Sequence, residues 1–453
     1  MNFFGKGLSG GIHPHEGTGG KSISSVIPIA IPPEPARVII PLQQHIGAPC
    51  KCLVKAGDTV LIGQMIGEPV GFVSAAVHAS VSGRVVACES CIMPNGTEQD
   101  CVIIENDFQN TWMELTPVEN PEGLTQEELA TVSRNAGIVG LGGATFPQSV
   151  KLSVPKDKPI DTLVINGSEC EPYLTADHRL MLEKADAIIK GAALIQKVLK
   201  IKTVKIGIEN NKPDAIAALK SACGNDSSIT VSGLPAQYPQ GDEKRLVFSL
   251  TGRTVKIGTL PLDVGVIVMN VGSVFALYQA VYEGRPLVER VVTVGGCVTK
   301  PMNYWVRLGT TVDHLLETSE GLLPATRMLI YGGPMMGMAI SRQDIPVTKA
   351  CSGILALDKL SALAKEQPCI RCGRCIDACP VRLTPAIIDK FMRKDMYEEA
   401  EKLNVLACME CGICSWSCPS KRNLTQSMKV CKATIQKRRK ITDAKAAEEK
   451  GEN

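Results

Sequence analysis

CIRCGRCIDACP, residues 369–380, and CMECGICSWSCP, residues 408–419, decide how the rest of this chain is read. Both runs follow C-x2-C-x2-C-x3-C-P: Cys369, Cys372, Cys375 and Cys379 with Pro380, then Cys408, Cys411, Cys414 and Cys418 with Pro419. Three thiolates in one tight loop can wrap three irons of a [4Fe–4S] cube, while a fourth, one turn further on, reaches a neighbouring cube. One cluster is therefore assigned to Cys369, Cys372, Cys375 and Cys418, and the other to Cys408, Cys411, Cys414 and Cys379. The fourth cysteine of each run is expected to begin a helix, with the proline at a position that needs no donor. Gly373 and Gly412 give the loops their tight turns. Between the runs, residues 385–403 form an amphipathic stretch with Ile388, Phe391, Met392 and Tyr397 on its inner face. CxxC pairs also bind zinc, but two four-cysteine runs that each close on Cys-Pro favour iron–sulfur.

The runs are similar to those of bacterial two-cluster ferredoxins, which implies an α-helical electron-transfer domain over residues 350–435. Eighteen cysteines in an unsecreted chain of 453 residues suit metal ligation in a reducing compartment. Cys50, Cys52, Cys88, Cys91, Cys101, Cys170, Cys223, Cys297, Cys351 and Cys431 lie outside the runs, and most are expected to be small buried hydrophobes. The length implies several domains. A net charge of +3 and 4% aromatic residues exclude a nucleic-acid surface. No secretory signal is expected at the N-terminus. No apolar run is long enough to span a bilayer, and residues 261–281 read as a buried strand followed by a helix.

Upstream, residues 124–152 read as a helix running into a loop with Gly137, Gly140, Gly142 and Gly143, followed by Lys151. This is not the dinucleotide fingerprint, because Thr145 takes its last place and a helix precedes it. Such a loop lets backbone approach a flat ring or a phosphate, or simply packs as a tight turn. A strand from Asp161 to Ile165 then ends in Asn166-Gly-Ser168-Glu169-Cys-Glu171-Pro-Tyr. Asp177, His178 and Arg179 follow, with His178 read as a surface or capping residue. A strand over 204–208, a helix over 212–220, Tyr238-Pro-Gln-Gly241-Asp242-Glu243 and a strand ending in Asn270-Val-Gly-Ser273 continue the α/β pattern. Polar residues at strand C-termini are where α/β sheets bind ligands.

GLGGATFPQSVKL (140–152) resembles the flavin loop of the NADH-binding flavoprotein subunit of respiratory complex I. NGSECEPY (166–173), YPQGDE (238–243) and MNVGS (269–273) resemble three further motifs of that family, in the same order. The resemblance implies a Rossmann-like FMN/NADH domain over 119–288. Gly140, Gly142, Gly143, Lys151, Asn166, Ser168, Glu169, Tyr238, Gly241, Asp242, Asn270 and Ser273 would line FMN. Phe146, Glu171 and Glu243 would face NADH. Ser168 replaces an acidic residue of the family, Leu141 an arginine and Gly272 a glutamate. Hydride chemistry would occur on FMN, so no protein residue is assigned as catalytic.

Residues 54–68 and 77–86 resemble the biotinyl/lipoyl barrel sandwich, placing a β-rich domain over 31–118 behind an N-terminal segment, 1–30. Turns are expected at residues 55–58 and 82–83. No lysine lies between Lys55 and Arg84, which excludes a swinging arm. Residues 291–317 resemble the β-grasp, SLBB-like domain of the complex I subunit, here 289–345, and Met335 and Met336 read as core filler. Residues 436–453 form a charged tail, read as a frayed helix or a disordered segment. The whole is thus α/β multidomain. The order of GKGLSGGIHPHE (5–16), sandwich, flavin domain, β-grasp and ferredoxin resembles the RnfC family of Rnf electron transport complexes, membrane-bound ferredoxin:NAD+ oxidoreductases that translocate Na+ or H+. That resemblance implies a peripheral subunit on the cytoplasmic face of the bacterial cell membrane, with integral-membrane and iron–sulfur or flavin subunits as partners and ferredoxin as an indirect one. Soluble flavin-dependent cobalamin reductases share the loop and the cluster pair, but there the loop lies near the N-terminus. A relay subunit that has lost nucleotide binding is the other alternative.

Overall fold

The structure is a computed structural model that describes residues 10–14, 20–155, 157–358 and 365–451, with side chains up to residue 442. Residues 5–9 and 15–16 of the N-terminal motif and the last two residues of the tail lie outside the described residues. The chain divides into two compact units: residues 15–236 with 243–358, and residues 1–14 with 237–242 and 359–453.

The larger unit begins with a β-sandwich. Its strands are β1 (Arg37–Pro41), β2 (Lys51–Cys52), β3 (Thr59–Val60), β4 (Met65–Glu68), β5 (Val77–His78), β6 (Gly83–Ile92) and β7 (Glu98–Asn106). One sheet runs β1-β7-β6-β3 and the other β2-β4-β5. Alternation decides the faces: Val38, Ile40, Val85, Val102 and Ile104 enter the sandwich core, while Ile39, Cys101 and Ile103 pack on the opposite face. The turn at Lys55–Asp58 forms as expected, with Lys55 N–H donating to Asp58 at 2.9 Å. Gly83 instead opens β6, and the tight reversal comes at 93–97. The β4–β5 connection carries no lysine and exposes Phe72.

Next comes a parallel sheet of β8 (Thr162–Gly167), β9 (Thr203–Glu209), β10 (Ile229–Leu234) and β11 (Val266–Asn270), in the order β10-β9-β8-β11. β8 and β11 are almost wholly buried apolar runs, as a sheet covered on both faces requires. The chain steps outward from β8 to β9 and β10, then returns to β11 on the other side. The strand order therefore reverses between β8 and β11, where such sheets open a crevice at their C-terminal ends. The helix before the glycine loop, Gln126–Asn135, is set by a Thr125/Glu128 capping box.

A third layer holds β12 (Glu289–Gly296), β13 (Met302–Arg307), β14 (Met328–Tyr331), β15 (Met338–Ile340) and β16 (Gly353–Leu357), in the order β13-β12-β16-β14-β15. β16 lies at the centre of this sheet, parallel to β12. The boundary expected from sequence leaves it with the cluster domain instead. GILAL is a short apolar run whose sheet cannot be read locally. Met336 is 50% exposed and so is not core filler.

In the smaller unit, the inner face between the cysteine runs splits into two helices, Pro385–Met392 and Tyr397–Lys402. Ile388 is fully buried, with Phe391, Met392 and Tyr397 against it. A long helix, Leu424–Gly451, buries Leu424, Met428, Cys431 and Ile435 at helical spacing. Through residue 451 the tail continues this helix. Asp389, fully buried, accepts from Ser427 Oγ at 2.5 Å, from Arg393 Nε at 2.8 Å and from Arg422, joining the two ends of the fold. No helix among the described residues is long and apolar enough to cross a membrane.

Candidate cofactor sites

The crevice of the parallel sheet is built from strand ends. Asn166 and Asn270 face each other in register at the C-termini of β8 and β11. Each folds back onto its own chain: Asn166 accepts from Ser168 N–H at 3.0 Å and Asn270 from Gly272 N–H at 2.8 Å. Asn270 thereby caps helix Val271–Tyr282. Ser273, one turn in, holds the glycine loop. Its Oγ accepts from Leu141 N–H at 2.9 Å and donates to the Val139 carbonyl at 2.8 Å. The loop closes with Gly140 N–H on the Phe146 carbonyl at 2.9 Å. Gly142 and Gly143 lie exposed at its tip. A Cβ at Gly142 would sit 2.7 Å from Asn270 Nδ2, so bare backbone is needed there. Exposed glycine backbone over a strand crossover fits a flat ring approaching from solvent.

The acidic stretch is committed to the protein. Glu169 accepts the Asp177 and His178 N–H groups at 3.0 and 3.1 Å, satisfying the start of helix Ala176–Glu183. Its carbonyl receives Lys21 Nζ at 2.6 Å and Lys212 Nζ at 3.3 Å. Lys212 also forms a fully enclosed ion pair with Glu209 at 2.6 Å. Ser168 Oγ donates to the Gly207 carbonyl at 3.2 Å. Glu171 grips the backbone N–H groups of Met335 and Met336 at 3.0 and 2.9 Å. His178 is buried, with Nε2 2.8 Å from Asp214; it is not a surface residue. Lys151 bridges Glu243 (2.8 Å) and the Val268 carbonyl (2.9 Å). Phe146 is half-buried at the end of the loop. The expected flavin and nucleotide residues thus fall in the larger unit, except Tyr238, Gly241 and Asp242, which belong to the smaller one.

Three residues matter here that local sequence did not reveal or only pointed toward. Arg290, buried on β12, donates to the Leu141 carbonyl at 3.2 Å and to the Lys349 carbonyl. Lys349, fully buried, donates to the carbonyls of Gly137 at 2.6 Å and Ala76 at 2.7 Å. These two cations brace the glycine loop at its start and within it. Burial holds Arg290 below its usual value and brings Lys349 down to about 8. Asp177 accepts from Asn270 Nδ2 at 2.7 Å. Burial, and then the Glu169 carboxylate beside it, raise its pKa to about 7. Nothing in the spacing of β12 or of residue 349 marks either as a loop brace, because their partners lie some 150 to 210 residues away in sequence.

In the smaller unit the two cysteine runs repeat with one geometry. Arg371 and Glu410 both have φ of 59°, Gly373 and Gly412 have 78° and 81°, and Arg382 and Lys421 have 54° and 51°. Gly373 and Gly412 each precede a one-turn helix. The fourth cysteine follows that turn rather than opening the next helix, which begins at Pro385 in the first repeat and Leu424 in the second. The thiols group in the crossed sets. Burial raises Cys411 to about 12 and Cys414 to about 11, and among the thiols adding to both shifts are Cys408 and Cys379. Cys375 has Cys418 and Cys369 as its thiol neighbours. Cys379, Cys408, Cys411 and Cys414 line one small cavity with Leu383, Ile413 and Met428. Four sulfurs around an apolar hollow fit a [4Fe–4S] cube. Of the other ten cysteines, Cys50, Cys101, Cys297, Cys351 and Cys431 are buried, while Cys88 is exposed.

Comparison with known proteins agrees domain by domain. Residues 133–279 match the Nuo51 FMN-binding domain, 6–109 the RnfC barrel sandwich hybrid domain, 291–339 the SLBB domain and 362–445 the 4Fe-4S dicluster domain. The chain therefore carries an FMN-binding domain and a domain for two [4Fe–4S] clusters. An NAD+-reducing [NiFe]-hydrogenase in its H2-reduced state shares the fold at 17% identity and a TM-score of 0.51, over 70% of this chain and 65% of that one. The RnfC-type subunit of the proton-translocating ferredoxin:NAD(+) oxidoreductase complex of Clostridium ljungdahlii is 44% identical, over 94% of each chain. Its Na(+)-translocating counterpart from Acetobacterium woodii is 43% identical, over 94% of this chain and 97% of its own. The corresponding subunit of the ion-translocating oxidoreductase complex of Rhodobacter capsulatus is 41% identical, over 95% and 83%. On that identity and coverage, the chain belongs to the RnfC family, subunits of ion-translocating ferredoxin:NAD(+) oxidoreductase complexes.

Proposed function

We propose that this chain is the NAD(H)-reactive subunit of a membrane-bound ferredoxin:NAD+ oxidoreductase complex that couples electron flow to Na+ or H+ translocation. The carrying observation is the joining, in one chain, of a flavin crevice and paired cysteine runs whose thiols cluster in the crossed sets. FMN, when bound, exchanges a hydride with NAD(H) and passes electrons on singly, the form that iron–sulfur clusters accept. The protein residues hold and shape. Gly140, Gly142 and Gly143 give backbone access, and the N-terminus of helix 271–282 favours negative charge near the crevice. Asn166, Ser168, Glu169, Asn270 and Ser273 fix the crevice walls. Asp177, with its pKa near 7, can hold a proton at its carboxyl beside Asn270. Lys151 completes the flavin set within the larger unit, and Phe146, Glu171 and Glu243 are assigned to the nicotinamide nucleotide. Partner subunits in the membrane would move the ion, with this chain docked on the cytoplasmic face and ferredoxin acting through those partners.

The test is an absorption spectrum of the anaerobic, cluster-replete protein before and after NADH. Bleaching of the flavin bands followed by loss of the cluster absorption is expected. Clusters that stay oxidised, even after reconstitution with FMN, would leave a relay subunit in place of the enzyme.

A further inference from the structure

The two cysteine runs share a backbone but not an environment. Cys372 is exposed, whereas Cys411, its counterpart in the second run, is buried. Against the second run lies a strap made from two remote pieces of chain, residues 10–12 and 237–242, within the same unit. Ile12 and Tyr238 pair as a short antiparallel bridge, with N–H to carbonyl distances of 3.0 and 2.8 Å. Gln237 Nε2 donates to the Gly10 carbonyl at 2.8 Å, and Gly11 N–H to the Ala378 carbonyl at 3.0 Å. Gly10 must be glycine: its φ is +68°, and a Cβ would lie 2.5 Å from the Cys379 carbonyl oxygen. The strap therefore rests on Cys379 and Cys411, both ligands of the same cluster.

At its centre Tyr238 is 2% exposed and its hydroxyl donates to the Cys411 carbonyl at 2.8 Å. Lys432 Nζ donates to the Cys408 carbonyl at 2.7 Å while pairing with Glu410 at 2.6 Å. Both donors bond the backbone carbonyl of a cluster-ligating cysteine and draw electron density from it. A reduced cluster carries one more negative charge, so such donors stabilise the reduced form and raise the potential.

We propose that Tyr238 is a positioning residue for the cluster of Cys408, Cys411, Cys414 and Cys379, and that its hydroxyl raises that cluster's reduction potential relative to a cluster without it. The proposal rests on the two-cluster reading, and counting bound iron before each titration separates a failure of that reading from a failure of this one.

The experiment is an EPR-monitored redox titration of the full-length, cluster-replete chain. In Tyr238→Phe one of the two one-electron steps should fall, with its equilibrium constant changed about three- to tenfold, which is ~30–60 mV at 59 mV per decade; the other step should not move. Lys432→Met should lower the same step. Incorporating 3-fluorotyrosine at position 238 keeps the size and gives a stronger donor, so that step should rise. Two steps moving together, no step moving in Tyr238→Phe with full iron, or Lys432→Met lowering the opposite step would each overturn the proposal. Should Tyr238→Phe retain only half the iron, the fluorotyrosine protein decides: an unmoved step there also overturns it.

Discussion

The cluster-binding unit and the flavin crevice solve the same problem, holding a redox group, in opposite ways. The cysteine runs carry their ligands in two stretches of twelve residues, 369–380 and 408–419, and the backbone repeats its unusual angles in both. The crevice draws on the glycine loop, two strand ends and one helix start, and is braced by Arg290 and Lys349 from another sheet and the chain beyond it. A thiolate set is specified by spacing, because the metal supplies the bond energy and imposes the geometry. A backbone cradle has no such organiser, so buried cations and capped strand ends must hold it.

The most damaging tests cut the crossing of the cysteine sets. Cys379→Ala should remove the cluster of Cys408, Cys411 and Cys414, and Cys418→Ala the cluster of Cys369, Cys372 and Cys375. Each should lose half the bound iron, as measured by iron analysis and EPR. A loss of the sequence-adjacent cluster would break the comparison at its first step.

Next in size is Asp389→Ala, which removes the buried acceptor of Ser427, Arg422 and Arg393; because both arginines keep Glu366, it should cost about 3 kcal/mol in denaturant unfolding. Burial alone would raise the pKa of Asp389, but Ser427, Arg422 and Arg393 more than offset it and the net shift is downward. A depressed carboxylate stabilises above its unfolded pKa of about 3.9. That contribution is lost as pH falls through the lower folded value, and the wild-type advantage should vanish there.

Arg290→Met should leave the Leu141 and Lys349 carbonyls without their donor, at about 2–3 kcal/mol. Because the loop brace is lost, FMN affinity measured by fluorescence titration should fall at least about tenfold, a factor worth ~1.4 kcal/mol. Unchanged affinity would mean that the loop is held well enough without its brace.

Asp177→Asn tests the opposite sign. A carboxyl raised to about 7 binds its proton more tightly in the folded state than in the unfolded chain. Wild-type stability should therefore fall as pH rises from about 4 to about 7 and level off above. The asparagine variant should match wild type near pH 4 and exceed it by about 1–3 kcal/mol at pH 8, read from melting curves across pH. The smallest effect belongs to Lys151→Met. Its pair with Glu243 is partly exposed and should be worth at most ~1 kcal/mol of stability.

Legibility followed the same division. Asn166, Asn270 and the glycine loop could be found as polar or bare positions closing apolar runs, since strand ends leave a local signature. The partners of Glu169 and Glu171 could not. Glu169 caps a helix seven residues on, and Glu171 is held by Met335 and Met336 across more than 160 residues of chain. β16 is not legible in the sequence, which leaves it in the ferredoxin domain, because its place between β12 and β14 depends on the whole sheet.

The sequence by itself determined the spacing of the cluster thiols and, through its ordered motifs, the order of the domains, because cysteine spacing and short motifs act over a few residues. Only the tertiary structure decided which charges brace the glycine loop, which carboxylates are spent on backbone, and that Tyr238 belongs with the cysteines. Those choices bring together groups far apart in the chain, in a low-dielectric interior where every buried donor must find an acceptor. That accounting is settled by the fold as a whole.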